Sequence, residues 1–286
     1  MTRTVRAIRR RMLAVTLIAL TAATVVACGS SGEVKTPTTV SGAADGGELT
    51  IGISFDQPGL GLRDGDTYTG FDVLAATYVA QALGVPKENI TWQRADPSER
   101  EQLLEDGDVD LVFSSYSITD ERKKVVDFAG PYFLAHQDLL VRRNETDITG
   151  PDTLGGRVLC SVTGTTSSAY VKANFLGDIN LVEYPRFSDC VAALAASEVD
   201  AVTTDDVILA GFAAQPEYKG KLKVVGNGFT DELYGVGIQK GDSEMASKVN
   251  SALQQFIEDG SWRAALEQTV GPSGYAIPDP PTPGSS

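Results

Sequence analysis

Histidine is nearly missing from this 286-residue chain: His136 is the only one. A histidine-based metal site or a Ser-His-Asp triad would have to rest on that single imidazole, and neither is found around it. No metal and no cofactor are expected. Basic residues are also few, 24 Lys and Arg against 38 Asp and Glu, for a net charge of −14. Five of the arginines (Arg3, Arg6, Arg9, Arg10, Arg11) crowd into the first eleven residues; without them 19 basic residues face 38 acidic ones, a net of −19. No basic stripe remains, which excludes nucleic acid as a partner. An acidic chain repels an anionic ligand at long range, so positive charge in any anion site has to be local. Long apolar runs are missing as well. The run from Met12 to Val26 is the best one, and it is shorter than the roughly 20 residues that span a bilayer. No repeat of solenoid length is present.

The arginines followed by that apolar run read as a signal peptide over residues 1–27. Val25-Val26-Ala27-Cys28 followed by Gly-Ser-Ser-Gly resembles a bacterial lipobox, which implies cleavage before Cys28 and lipidation of that cysteine. Residues 28–47 have too little apolar content to pack and read as a flexible tether. The remaining length suffices for one large domain or two lobes. Leu49, Ile51 and Ile53 alternate as a strand. Asp64-Gly65-Asp66 is a turn, and Gly70 opens a helix with Phe71, Leu74, Tyr78 and Leu83 on one face. A strand at 90–93, a helix at 100–105 and a strand at 109–113 complete a βαβ lobe with a parallel sheet. Another strand covers 138–141. A second βα series follows: strand 157–161, a helix entered from Thr163, strand 179–184, helix 188–196 with Ser188 as its N-cap, and strand 199–203. Residues 222–237 form a strand and a return crossing. Two amphipathic helices, 242–258 and 262–270, end the fold before a Pro-rich, frayed tail.

Chemistry concentrates at Ser114-Ser115-Tyr116-Ser117-Ile118-Thr119-Asp120-Glu121-Arg122, at the end of the third strand. Strand ends of open α/β sheets hold ligands. The hydroxyls of Ser115 and Ser117 suit an ammonium or a carboxylate, and Arg122 can clamp a carboxylate with two parallel N–H bonds. The rival reading makes Arg122 a solvated charge beside Lys123 and Lys124. Gly164-Thr165-Thr166 sits where a loop enters a helix; free N–H groups there favour an anion, or the residues are only a cap. Asp205, after the strand at 199–203, can take an ammonium, with Asp206 as the residue it can be confused with. Arg100 is either a second carboxylate ligand or a surface arginine paired with Glu101 or Glu105. Gln57, Thr204 and His136 are lesser candidates.

Taken in order, Gly70-Phe71-Asp72-Val73, Ile118 to Lys124, Val126-Asp127-Phe128 with Pro131-Tyr132, Gly164-Thr165-Thr166, Val199-Asp200-Ala201-Val202 before Asp205, and Tyr234-Gly235 before Lys240-Gly241-Asp242 resemble the extracytoplasmic solute-binding proteins of polar amino-acid ABC transporters. Asp56-Gln57-Pro58-Gly59-Leu60-Gly61, Tyr116-Ser117-Ile118, Leu159-Cys160-Ser161-Val162 and Cys190 bring the likeness closer to glutamate-binding lipoproteins of actinobacteria. The resemblance implies an α/β fold of the type II periplasmic-binding-protein class: two lobes, 48–142 plus 231–271 and 143–230, joined by two crossover strands, with the tail at 272–286. It implies that Arg122 and Thr166 hold the α-carboxylate, that Asp205 with Ser115 and Ser117 holds the ammonium, and that Thr165, Thr204, Tyr116, Gly164 and Gln57 complete the site. It puts Arg100 on the side-chain carboxylate of glutamate. Leu60 stands where many relatives carry Phe. The implied protein is a monomer on the outer face of the cytoplasmic membrane, held by its lipid alone, that passes L-glutamate or a related amino acid to permease subunits. A cyclohexadienyl-dehydratase-like enzyme, using Asp205 or His136, and a sensor subunit are the alternatives on the same fold. In an exported protein Cys160 and Cys190 are expected to be bonded, contributing about 3–4 kcal/mol in the chain-entropy model.

Overall fold

The computed structural model describes residues 32–40, 47–175 and 177–284. The signal peptide, the lipobox with Cys28, and residues 28–31 and 41–46 of the expected tether lie outside the described residues. In chain order the elements are β1 Leu49–Ile53, β2 Asp56–Gln57, β3 Gly61–Asp64, β4 Thr67–Thr69, α1 Phe71–Ala82, β5 Ile90–Arg94, α2 Arg100–Glu105, β6 Leu111–Phe113, β7 Val126–Ala135 and β8 Gln137–Arg142. They continue with β9 Val158–Val162, α3 Thr166–Asn174, β10 Asn180–Tyr184, α4 Phe187–Ala195, β11 Ala201–Asp205, α5 Asp206–Ala213, β12 Leu222–Val224, β13 Glu232–Gln239, α6 Ser243–Glu258 and α7 Ser261–Thr269.

Two five-stranded sheets result, β5-β1-β6-β13-β7 and β10-β9-β11-β8-β12. In each, three parallel strands from βαβ units meet an antiparallel strand that has crossed from the other lobe: β13 beside β6, and β8 beside β11. This is the two-lobe type II fold. A small sheet, β2-β3-β4, hangs on the first lobe. The first lobe is centred on Phe71, whose ring lies 5.7 to 6.2 Å from those of Tyr132, Phe133, Phe256 and Trp262. Trp262 also donates its indole N–H to the carbonyl of Tyr132 at 2.7 Å.

Four expectations need correction. Residues 138–142 do not close the first lobe; they pair with β11 and β12 in the second sheet, so the chain crosses at His136. The segment before it, for which no element was expected, is the ten-residue strand β7, in spite of Pro131. It tolerates the proline because the β13 partner is irregular there, with register lost between Tyr234 and Val236. Residues 32–40 are not a free tether. Val34 and Val40 pack on the core, and the N–H groups of Lys35, Thr38 and Val40 donate to Ser261 Oγ, Gln255 Oε1 and Ala82 O at 2.8 to 2.9 Å. Nor is the tail frayed up to residue 284: Tyr275 and Ile277 pack on the core, and the N–H of Gly284 reaches the carbonyl of Gly130 at 2.7 Å.

Candidate functional site

The strand β6 is wholly buried and delivers Ser114 to Ser117 into the cleft between the sheets. The loop is stitched to β13, with Ile118 N–H on Leu233 O at 2.8 Å and Gly235 N–H on Tyr116 O at 2.9 Å. Ser115 sits at φ 43°, a left-handed conformation that a non-glycine residue adopts at a cost. Its N–H donates to Asp72 Oδ2 at 3.0 Å, and its hydroxyl bonds the Gln57 amide at 2.9 Å. Asp72, in the first turn of α1, is fully buried and also accepts from Tyr132 at 2.8 Å. Burial pushes its carboxyl up to about 6, against the pull of those two hydrogen bonds.

Both arginines are buried, which removes the surface readings. Arg122 donates to Ser117 O at 2.7 Å and to Gly164 O of the other lobe at 3.0 Å, and its Nε lies 3.3 Å from Glu101. Arg100 is 2% exposed; it donates to Ser114 O at 2.9 Å, and its Nε has no partner. Both guanidiniums lie over the Tyr116 ring, at 4.3 and 4.9 Å from its centroid. Burial first, and the charge of Arg122 second, push Arg100 down to about 10, which leaves it cationic at neutral pH. Gly164 has φ 83°, and a Cβ on it would come within 2.7 Å of Ser98 backbone, so only glycine fits where the lobes touch.

From the second lobe, Thr165 caps α3, accepting from Ser168 N–H at 3.0 Å, and Thr166 donates to Glu232 at 2.8 Å. Asp205 ends β11. One of its oxygens accepts from Tyr234 at 2.5 Å, and the other is buried with no partner. Burial, then the nearby Glu232, push it up to about 8. Asp206 faces away from the cleft and accepts from the backbone N–H groups of His136 and Val207 and from Tyr275 Oη.

The structure therefore brings Arg100, Arg122, Ser115 and Ser117 together with Thr165, Thr166, Thr204 and Asp205 around one cavity of about 10 Å³. Gln57, Tyr116 and Gly164 stand behind that lining, as supports for Ser115 and the arginines. His136 is not brought in: it lies 3.6 Å from Asp206 and 3.4 Å from Asp231 and lines a separate groove of about 890 Å³ between α5 and the C-terminal segment. This leaves His136 outside the acid–base role considered for it. Ser167, Phe187 and Ile208 also line the cavity and were not among the sequence candidates; each sits in the first turn of a helix, the only signal that could have marked them. Cys160 and Cys190 form the expected disulfide, joining β9 to α4. Among the described residues no group of His, Cys, Asp and Glu is arranged to hold a metal ion.

The model of the bacterial extracellular solute-binding proteins, family 3, matches residues 49–272. The glutamate-binding protein GluB of Corynebacterium efficiens is 39% identical over 93% of each chain. The glutamine-binding protein GlnH of Bacillus subtilis is 29% identical over 88% of this chain and 94% of its own. An ancestral arginine-binding protein bound to arginine superposes with a TM-score of 0.73 at 31% identity, over 78% of this chain and 98% of that one. With two crossed lobes, a shared cleft and a family match over most of its length, the chain belongs to the family 3 bacterial extracellular solute-binding proteins.

Proposed function

We propose that the chain is an extracytoplasmic receptor that closes on an acidic amino acid, L-glutamate foremost, and presents it to an ABC permease. Arg100 carries the reading. It is a buried guanidinium whose hydrogen bonds run to backbone carbonyls, whose Nε is unpartnered, and which belongs to no ion pair among the described residues. A buried charge without its counter-charge costs about 3–5 kcal/mol. A ligand carboxylate relieves that cost. Two guanidiniums and one carboxylate match the two carboxylates and one ammonium of glutamate one to one. Arg122, with Ser117 and Thr166, takes the α-carboxylate; Arg100 takes the side-chain carboxylate; Asp205, with Ser115 and Thr204, takes the ammonium. Because these groups come from both lobes, the ligand adds free energy to the closed arrangement alone. The names of the GluB and GlnH relatives support an amino-acid ligand. Attachment through a lipid on Cys28 belongs to the same reading; no helix among the described residues is long and apolar enough to cross a membrane. Cys28→Ser should move the protein from the membrane fraction to the medium.

Titration calorimetry against the amino acids tests the site. Wild type is expected to prefer glutamate. Arg122→Ala should abolish binding of every amino acid. Arg100→Ala should weaken glutamate about 10- to 100-fold, as for loss of a charge-assisted hydrogen-bonded pair, and leave glutamine much less affected. An Arg100→Ala protein that keeps the wild-type preference for glutamate over glutamine would falsify the assignment.

A further inference from the structure

Strand β2 is two residues long, and its side chains leave on opposite faces. Gln57 turns inward to Ser115. Asp56 turns toward the other lobe, where its Oδ2 accepts the backbone N–H of Ser188 at 3.0 Å, 132 residues further along the chain. Ser188 is the second residue of α4, not the cap expected for it. The residue preceding the helix is Arg186, which makes no capping bond and instead pairs with Asp189 at 3.0 Å. The first turn of α4 thus has one of its free N–H groups satisfied by an acid from the facing lobe. Burial raises the Asp56 carboxyl, and the Ser188 bonds and Arg186 draw it back.

A second contact lies beside the first. The carbonyl of Pro58 presses against Gly211 of α5, so closely that a Cβ on Gly211 would come within 2.0 Å of it. The 56–58 segment of the first lobe is therefore seated against both α4 and α5. The same two helices send Phe187 and Ile208 to the lining of the cavity.

We propose that Asp56 is a positioning residue for ligand binding: it caps α4 across the cleft and latches the second lobe shut without touching the amino acid. The inference rests on hinge closure around a ligand. The Asp56–Ser188 bond exists only when the lobes meet, so its free energy belongs to the closed arrangement alone. Every ligand that needs closure gains by the same factor, whatever its side chain.

Calorimetry with glutamate and glutamine, together with small-angle scattering of the free protein, tests this. Asp56→Ala should raise both dissociation constants by one common factor of about 2- to 30-fold, the range for losing an N-cap. Asp56→Asn keeps an accepting oxygen and should restore most of the loss. Ser188→Pro removes the donor from the other side at a first-turn position where proline is tolerated. It should match Asp56→Ala, and the double variant should be no weaker than either alone. Wild-type affinity in Asp56→Ala, a factor that differs between the two amino acids, or simple addition in the double variant each overturn the latch. If wild type binds no amino acid, the functional reading falls, and scattering judges the latch by itself. A lower closed fraction in Asp56→Ala than in wild type supports it, and an equal fraction overturns it.

Discussion

Asp205 is the residue on which pH acts. Its carboxyl is held up to about 8 by burial and by Glu232. A raised carboxyl binds its proton more tightly in the folded chain than in the unfolded one. It therefore withdraws stability as the pH climbs from about 4 to about 8. An ammonium placed against the unpartnered oxygen reverses the preference, and the proton must leave as the ligand enters. At pH 6 to 7 binding should release close to one proton, and affinity should climb toward pH 8 and then level off. Calorimetry in buffers of different ionisation enthalpy reads the proton count; a count of zero would remove Asp205 from the ammonium. At this scale the sequence was legible where a charge had a motif around it. Arg122 and Asp205 stand out by their order along the chain. Asp72 does not, because a first-turn aspartate is ordinarily a solvated cap, and here only the fold buries it beneath Ser115. Asp205 and Asp206 are separated only by which way the β11–α5 junction turns.

The elements differ in how far the sequence shows them. Helix α6 and strand β1 carry a clear apolar period and fall close to where that period puts them. Strand β7 carries none, since Gly130 and Pro131 interrupt it, and it pairs only because its partner strand is irregular opposite them. The docked 32–40 segment was equally hidden: two valines in a polar stretch look insoluble to no composition rule, yet they suffice when the backbone finds acceptors on α6 and α7. The disulfide closes a separation of 30 residues, which is worth about 3–4 kcal/mol in the chain-entropy model. Reduction, or the Cys160→Ser/Cys190→Ser pair, should lower the melting temperature measurably, and a thiol count on the unreduced, denatured chain should find neither sulfur free. Ending the chain at Gly274 removes Tyr275, which packs near Phe133 and donates to Asp206 at 3.1 Å. Thermal melts should show a loss of about 1 kcal/mol, on the scale of one half-buried aromatic side chain; an unchanged melt would mean the segment merely lies on the surface.

Over the whole molecule the charge is strongly negative and the positive groups of the cleft are few and buried. The far field repels glutamate, whereas Arg100 and Arg122 attract it only at contact. Raising the ionic strength should therefore speed glutamate association in stopped-flow measurements and leave neutral glutamine unchanged. Equal salt dependence for the two would place the steering elsewhere. The two-sheet plan was the most legible level, because two βα series with a crossing between them admit few arrangements. The point of crossing at His136 was not, since β8 has the same apolar pattern whichever sheet it joins.

Residues 32–40 lie on α1, α6 and α7, and the 275–284 segment returns to β7. The outermost anchors of the described chain, at residues 35–40 and at Gly284, thus lie on the first lobe, although Tyr275 also reaches Asp206 of α5 on the second. Whatever grips residues 32–40 grips that half, leaving the other to do the travelling. A dye pair placed at residues 36 and 284 would stay silent through a full cycle of opening and shutting, and a reporter of the motion needs one of its members on the sheet that holds β9 to β11.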